Sequence, residues 1–350
     1  MLKVLNVGQG DAFLFSPAAC MRSQEPLLID TGTAKAKVAT RIPPKRYVVM
    51  ITHSHEDHMG GLPALLRASM VSELIIPYYL PEVTRIAKFL GNALKSDIKT
   101  PDWRRIAKLK KVTFVAEGKM LCDHATVLNP PSNVEEIKHA LPFQTLEGDI
   151  FRALNMLGEL GIDLPTQAII DYNPPLLPND DLEYRERAIE FVHMFFTGLA
   201  DDLSRQPKGN ADYHIKKHLA LTANQASIVF RHQGHGHSWL FTGDADQHVF
   251  NRLLDNGTDI SANILKVPHH GSRENLTSAI LKNISPCYAI VSHNNRKFGR
   301  SRDPHPHHEV IDLLDSMRVN TFYTNNVIKE RAVLKKQSTG VVAAKLIEFI

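Results

Sequence analysis

The run Thr52-His53-Ser54-His55-Glu56-Asp57-His58-Met59-Gly60-Gly61 narrows most what this chain can become. It follows an apolar run, Val48-Val49-Met50-Ile51, that reads as a buried strand, and a helical pattern begins at Gly61. A strand that ends in such a turn and opens into a helix holds three imidazoles and a carboxylate in one tight loop. Their side chains can converge on one point without backbone strain. His53 and His55 can hold one cation while Asp57 and His58 reach a second close by. A solvated histidine tract would need neither the strand before nor the Gly-Gly and helix after. Two later strand ends supply further donors. Asp244 follows Trp239-Leu240-Phe241-Thr242-Gly243 and can bridge both cations; His269 follows 264–267 in Pro268-His269-His270-Gly271-Ser272 and can complete the second site.

The rest of the chain supports a two-sheet architecture. Strand signals at 3–7, 12–15, 27–30, 47–52, 112–116 and 126–128 are interleaved with helical patterns at 61–70 and 81–95. After residue 220 come strands at 227–230, 239–242, 264–267, 289–292, 321–324 and 341–349, with helices at 245–254, 276–283 and 308–317. Mixed strands and helices in both halves predict a sandwich of two sheets with helices outside. The middle breaks this pattern. Leu182, Ile189, Val192, Phe196, Leu199 and Leu203 recur at helical spacing and predict one long amphipathic helix, with another over 146–160 and a loop over 173–179. The expected division is a catalytic domain of 1–132 and 221–350 with a helical insert of 133–220.

Charge follows the same division. Residues 133–206 hold 14 acidic and 5 basic side chains, a net of −9, which leaves 36 basic against 23 acidic elsewhere. The insert is either a solvated acidic face or a lid or partner-docking cap that leaves the basic surface open to a polyanion. Between Arg85 and Lys111 stand nine Lys or Arg with Trp103 among them, and Arg296, Lys297, Arg300 and Arg302 flank a later loop. This is either an ordinary solvated helix face or a track for a phosphate backbone.

Cys20, Cys122 and Cys287 are scattered and never form a C-x-x-C pair, which argues against a disulfide scaffold or zinc ribbon and fits a reducing, cytoplasmic setting. Gly8-Gln9-Gly10-Asp11 interrupts any export-signal core in the first 20 residues, and no apolar stretch is long enough to span a membrane. No membrane partner is expected.

These residues together resemble metallo-β-lactamase-fold hydrolases, specifically the soluble domain of ComEC-type competence proteins involved in DNA uptake. The resemblance rests on Asn6-Val7-Gly8-Gln9-Gly10-Asp11-Ala12, Ile29-Asp30-Thr31-Gly32, the histidine run, Thr242-Gly243-Asp244-Ala245 and Lys266-Val267-Pro268-His269-His270-Gly271-Ser272. It spans about 1–132 and 221–330 and leaves out the helical middle. It implies an α/β fold, the αββα four-layer sandwich with a helical insertion, and a pair of divalent metal ions at one sandwich edge. The implied ligands are His53, His55, Asp57, His58, Asp244 and His269, with Asp57 also orienting the attacking hydroxide. Asp30 would be an orienter behind the metal loop, and Asp11 either a similar support or a turn cap.

Many relatives place a third histidine of the first site where this chain has Asn224-Gln225-Ala226-Ser227; competence-type members resemble this chain in lacking it. The first site would then be richer in oxygen ligands and more open, so manganese stands beside zinc as the cofactor. His305-Pro306 resembles the end of an Asn-x-x-Gly-His-Pro segment, interrupted here by an insertion. His305 is accordingly either a group that protonates the leaving oxygen or holds a phosphate, or a helix cap. Lys266, Ser272, Asn224 and Ser227 are candidate substrate contacts. His307 and His308 read as bystanders, and His232, His235 and His237 as a hairpin tip. The implied reaction is hydrolysis, most plausibly of DNA phosphodiesters with nucleic acid as partner. A small phosphodiester, ester or lactone is the alternative, and so is a component of a multi-protein defence or DNA-processing complex docking through the insert.

Overall fold

A computed structural model describes residues 2–15, 25–95, 103–134, 136–137, 150–175, 182–205, 210–234, 236–294, 304–325, 327–329, 332–334 and 346–347. The expected basic flank of Arg296, Lys297, Arg300 and Arg302, the end of the 173–179 loop, His235 and most of 341–349 lie outside these residues.

The alternation in the sequence sorts side chains between layers. In β4 (Tyr47–Met50), Val48 and Met50 join one buried cluster while Tyr47, Val49 and the following Ile51 join another. Successive side chains of a strand point to opposite faces, so a strand buried on both sides reads as an unbroken apolar run. The first sheet has the order β16 (Leu346–Ile347), β1 (Leu2–Val4), β2 (Phe13–Phe15), β3 (Leu27–Ile29), β4, β5 (Val71–Pro77), β6 (Val112–Val115). The second runs β13 (Asn320–Tyr323), β12 (Tyr288–Val291), β11 (Ile264–Lys266), β10 (His237–Phe241), β9 (Val229–Gly234), β8 (Ala125–Asn129), β7 (Met120–Cys122). A hairpin, β14 (Val327–Lys329) and β15 (Ala332–Leu334), stands apart from both.

The two sheets meet face to face through Phe13, Phe15, Ile29, Met50, Phe230, Trp239 and Phe241. Phe230 and Phe241 stack with ring centroids 4.7 Å apart, and Phe13 meets Phe241 edge-on at 6.1 Å. Over the outer face of the first sheet lie α1 (Glu56–Met59), α2 (Leu62–Arg67) and α4 (Trp103–Ile106), with α3 (Leu80–Ala93) reaching it at Leu80. Over the second lie helices at Gln247–Asp255, Ser278–Ile284 and His308–Ser316, which bury Phe250, Leu281 and Leu314 on Leu240, Leu265 and Val291. The layers are therefore helix, sheet, sheet, helix: the metallo-β-lactamase fold read from the motifs.

Two expectations are corrected, and one strand, β5, lies where none was expected. Strand β5 carries no clean alternation, because Ser72 and Glu73 interrupt it; Ser72 Oγ donates to the Tyr47 carbonyl at 2.8 Å, and Glu73 accepts from Lys111 and Thr113 at 2.9 and 2.6 Å. The boundary at 220 falls inside a helix, since α8 (Ala211–Gln225), the last of the helical segment α5 (Ile150–Glu159), α6 (Thr166–Ile170), α7 (Leu182–Ser204) and α8, runs through it. That segment also shares one apolar cluster with α3. Tyr79 stacks on Phe191 at 4.5 Å, and buried Glu82 accepts hydrogen bonds from the Tyr172 and Tyr184 hydroxyls, each at 3.1 Å. The middle of the chain is thus built onto the outside of the first sheet. Finally, Cys122 is disulfide-bonded, which the scattered cysteines gave no reason to expect, while Cys287 is free and exposed. Among the described residues no helix is long and apolar enough to cross a membrane.

Candidate metal centre

Parallel strands deliver the chemistry. β3, β4 and β5 are mutually parallel, as are β10, β11, β12 and β13. Asp30 follows β3, His53 to His58 follow β4, Asp244 follows β10, and His269 and His270 follow β11, so every donor loop leaves the carboxyl end of a parallel strand. The glycine at position 10 lets two of these loops touch. A Cβ there would sit 2.2 Å from the Asp57 carbonyl oxygen, and Asp11 N–H donates to that same carbonyl at 3.1 Å. Gly61 is equally constrained, since a Cβ would meet the Thr31 carbonyl oxygen at 2.4 Å.

The side chains meet around Asp244. Its Oδ2 lies 3.2 Å from His58 Nε2, 3.7 Å from both His53 Nε2 and His270 Nε2, and 3.8 Å from His269 Nε2. His270 Nε2 is 3.3 Å from Asp57 Oδ2, and His53 Nε2 is 3.0 Å from His55 Nδ1. Two overlapping sets of donor atoms are close enough to share a cation: His53, His58 and Asp244, and Asp57, His58 and His270. A third set, Asp11, Asp30 and His58, stands behind them.

The outer nitrogens fix how the imidazoles present themselves. His58 Nδ1–H donates to Asp30 Oδ2 at 2.7 Å, and His270 Nδ1–H donates to the Ser292 carbonyl at 2.9 Å. Asn275 gives its amide hydrogens to the Asp244 and Ala245 carbonyls at 3.0 and 2.9 Å, so its Oδ1 faces His269 Nδ1 at 3.1 Å and accepts from it. The Thr52 hydroxyl donates to Asp30 Oδ2 at 2.7 Å, which leaves its oxygen to accept from His53 Nδ1 at 3.1 Å. Each of these rings therefore turns its Nε2 inward, the nitrogen that can ligate a metal once it carries no proton. Asp57 Oδ2, His58 Nε2, Asp244 Oδ1 and His270 Nε2 are buried without a hydrogen bond. Buried polar atoms left so are costly unless something else binds them. The donor set fits divalent cations.

Charge is balanced by coupling within the cluster. Burial disfavours charge on His58, but Asp244, Asp30 and Asp57 outweigh it and raise its pKa well above the usual histidine range. His270 is raised in the same way, chiefly by Asp244 against burial. Burial works against the ionised forms of Asp57 and Asp244, yet His58 and His270 hold both carboxyls below the usual carboxylate range. Farther from these carboxylates burial wins: it lowers His53 and His269, and it brings His55 down to about 4.

Several expected roles change. His270, and not His269, completes the tight set with Asp57 and His58. His269 and His55 lie at the rim, within reach of Asp244 and His53 respectively but outside either tight set. Lys266 is buried and makes no substrate surface: its ammonium donates to the Gly243 carbonyl at 2.7 Å and pairs with Asp11 Oδ2 at 2.5 Å and Asp244 Oδ1 at 3.5 Å. Asp11 is thus the acidic partner of Lys266. Ser227, Ser272 and Asn224 are also buried; Ser227 Oγ accepts from Asp244 N–H at 3.3 Å and Ser272 Oγ from Glu274 N–H at 3.3 Å. They form walls of the centre. His305 stands beside it, its ring 5.0 Å from His269, and burial brings its pKa down to about 3. It is a neutral imidazole at pH 7, so it can hydrogen-bond an oxygen but holds no ready excess proton. Asn275, Thr52 and Ser292 had not been singled out. Only their position against a ligand's outer nitrogen reveals them, and residue type carries no such signal.

Residues 5–137 match the Metallo-beta-lactamase superfamily. Over 110 residues the chain is 32% identical to the ComE operon protein 3 of Bacillus subtilis (strain 168), a match that covers 31% of this chain and 14% of that protein. Superfamily members of this kind are mostly metal-dependent hydrolases. The motif loops, the two parallel-ended sheets and the converging donors agree with both matches: residues 5–137 carry the metallo-β-lactamase superfamily pattern, and the chain spans only a small part of the competence relative it resembles.

Proposed function

We propose that this chain is a two-metal hydrolase that cleaves phosphodiester bonds of DNA. The observation that carries the reading is the inward turn of histidine Nε2 atoms and carboxylate oxygens from three separate loops, with Asp57 Oδ2, His58 Nε2, Asp244 Oδ1 and His270 Nε2 buried without a hydrogen bond at the carboxyl end of the strands. Asp57, His58, Asp244, His270 and His53 would hold two divalent ions, zinc or manganese, with His55 and His269 at the rim. When bound, such ions polarise the phosphoryl oxygens and lower the pKa of water to near neutrality.

The protein's own groups do the rest. Asp57 stays ionised and aligns the attacking water, accepting a hydrogen bond from it. Asp30 and Asn275 keep His58 and His269 from rotating. Neutral His305 donates a hydrogen bond to a phosphate oxygen beside His269. Water adds its oxygen to phosphorus and gives up a proton to solvent, the P–O ester bond breaks, and the departing alkoxide takes up a proton from solvent. The resemblance of the motif loops to competence-type proteins supports nucleic acid as substrate, as does the basic remainder of the chain.

The test is incubation of purified protein with labelled single- and double-stranded DNA, with added Mn²⁺ or Zn²⁺ and with chelator. Cleavage should require metal and disappear in an Asp57→Ala/His58→Ala variant; equal cleavage by both proteins would end the proposal. Turnover of a small ester or cyclic nucleotide without DNA cleavage would move the assignment to a small substrate.

A second reading is favoured by the helical segment, which a protein partner would cover. Phe151 on α5 and Tyr213 on α8 are 59 and 60% exposed, and Leu160, just after α5, is 40% exposed. Co-purification of a partner that is lost in a Phe151→Ser/Tyr213→Ser variant of unchanged melting temperature would support it.

A further inference from the structure

A second charged feature lies at the other end of the first sheet. Strands β4, β5 and β6 run parallel, and their amino ends border a cleft of about 630 Å³. Five cationic side chains line it, Arg46, Arg104, Arg105, Lys108 and Lys110, and no acidic one does. The fold gathers them from three places: Arg46 immediately precedes β4, Arg104 and Arg105 lie on α4, and Lys108 and Lys110 occupy the turn that leads into β6. Among the described residues, two acids near the cleft are engaged by bases. Glu25 is 3.8 Å from Arg46 Nε, and Glu73 is held by Lys111 at 2.9 Å. A cleft lined by charges of one sign attracts the opposite charge.

The position of the cleft decides what kind of anion. The metal centre follows the carboxyl end of β4, and six residues lie between Arg46 and His53. At 3.3 Å per residue the two sites are about 20 Å apart. A mononucleotide or small ester cannot touch both. A nucleic-acid backbone can, since one strand of a duplex presents a phosphate about every 3.4 Å and would place about six between the two sites.

We propose that this cleft is a remote anchor for the phosphate backbone of nucleic acid, binding it about six nucleotides from the metal centre. The inference rests on the DNA reading above and adds a site that sets how a long substrate lies. It assigns the cleft no part in the chemistry.

The experiment measures binding without catalysis. Full-length protein in chelator is titrated into labelled duplex DNA of about 30 base pairs at salt concentrations of about 50–200 mM, and anisotropy is read. The variant is Arg46→Gln/Lys108→Gln/Lys110→Gln, all exposed positions. Its Kd should rise at least about tenfold, and the slope of log K against log salt should shrink by about 2–3, nearly one per lost phosphate contact. Melting temperature is checked alongside, with the single Lys108→Glu variant as substitute should the triple variant unfold. Unchanged affinity and slope would overturn the anchor, as would loss of binding to phosphatidylserine vesicles by a protein that never bound DNA. The two claims separate cleanly. Metal-dependent cleavage with no effect of the cleft variant leaves the nuclease and removes the anchor; weakened binding in the variant with no cleavage by wild type does the reverse.

Discussion

His269 and His270 are the same side chain at adjacent positions, yet they do different things because both backbones sit in the left-handed region, with φ of 45° and 54°. Two consecutive non-glycine residues there are uncommon and strained. The twist sends His270 toward Asp57 and leaves His269 at the rim against Asn275. Zinc titration should therefore show His270→Ala losing far more affinity than His269→Ala; equal losses would return His269 to the ligand set. Asp30→Ala removes the acceptor for His58 Nδ1–H and should weaken metal binding by about 10- to 100-fold with circular dichroism unchanged. Lys266 makes a third residue-scale case. Lys266→Met removes the ammonium that pairs with buried Asp11 and Asp244, and breaking a buried pair this way costs about 3–5 kcal/mol, which chemical denaturation of the metal-free protein would measure.

At the scale of elements, helix α8 joins the helical segment to the metal centre. Its His218 is buried against Phe195, ring centroids 4.9 Å apart, and burial lowers its pKa to about 4 despite Asp202, whose Oδ2 is 4.0 Å from Nδ1. An unfolded histidine titrates near 6.5, so between about 6.5 and 4 the unfolded chain holds the extra proton and stability falls as pH falls, by at most about 1.4 kcal/mol per unit. Above about 6.5 the contribution is complete. His218→Leu should flatten that part of the pH dependence relative to wild type, read as melting temperature from pH 7 to pH 4; identical profiles would mean the ring is hydrated. Strand β5 shows why it was hard to read. Its polar Ser72 and Glu73 are satisfied by Tyr47, Lys111 and Thr113, all of them distant in sequence.

For the molecule as a whole, the metal centre is a seam. Donors from the first sheet, His53, Asp57 and His58, face donors from the second, Asp244 and His270, so a cation bound there ties the two halves of the sandwich together. Binding to the folded state alone raises stability by about 2.7 kcal/mol at a hundredfold excess over Kd. Zn²⁺ or Mn²⁺ should accordingly raise the melting temperature, chelator should reverse it, and Asp244→Asn should abolish most of the shift. A shift that survives in Asp244→Asn would mean the ion sits elsewhere, in one half only.

The sequence alone determined the class of fold, because β-branched runs alternating with helical periods leave few ways to bury both faces of two sheets. It also determined which loops carry donors, since His-x-His-x-Asp-His, Gly-Asp and His-His-Gly-Ser each end a strand. Tertiary structure decided what depends on distance across the chain: that Lys266 faces inward to Asp11 and Asp244, that His270 turns toward Asp57, that Asn275 holds His269, and that the helical middle shares its core with α3. Residue types and spacing along a chain say which groups are near in sequence, whereas backbone dihedrals and the packing of remote segments settle which way each side chain points.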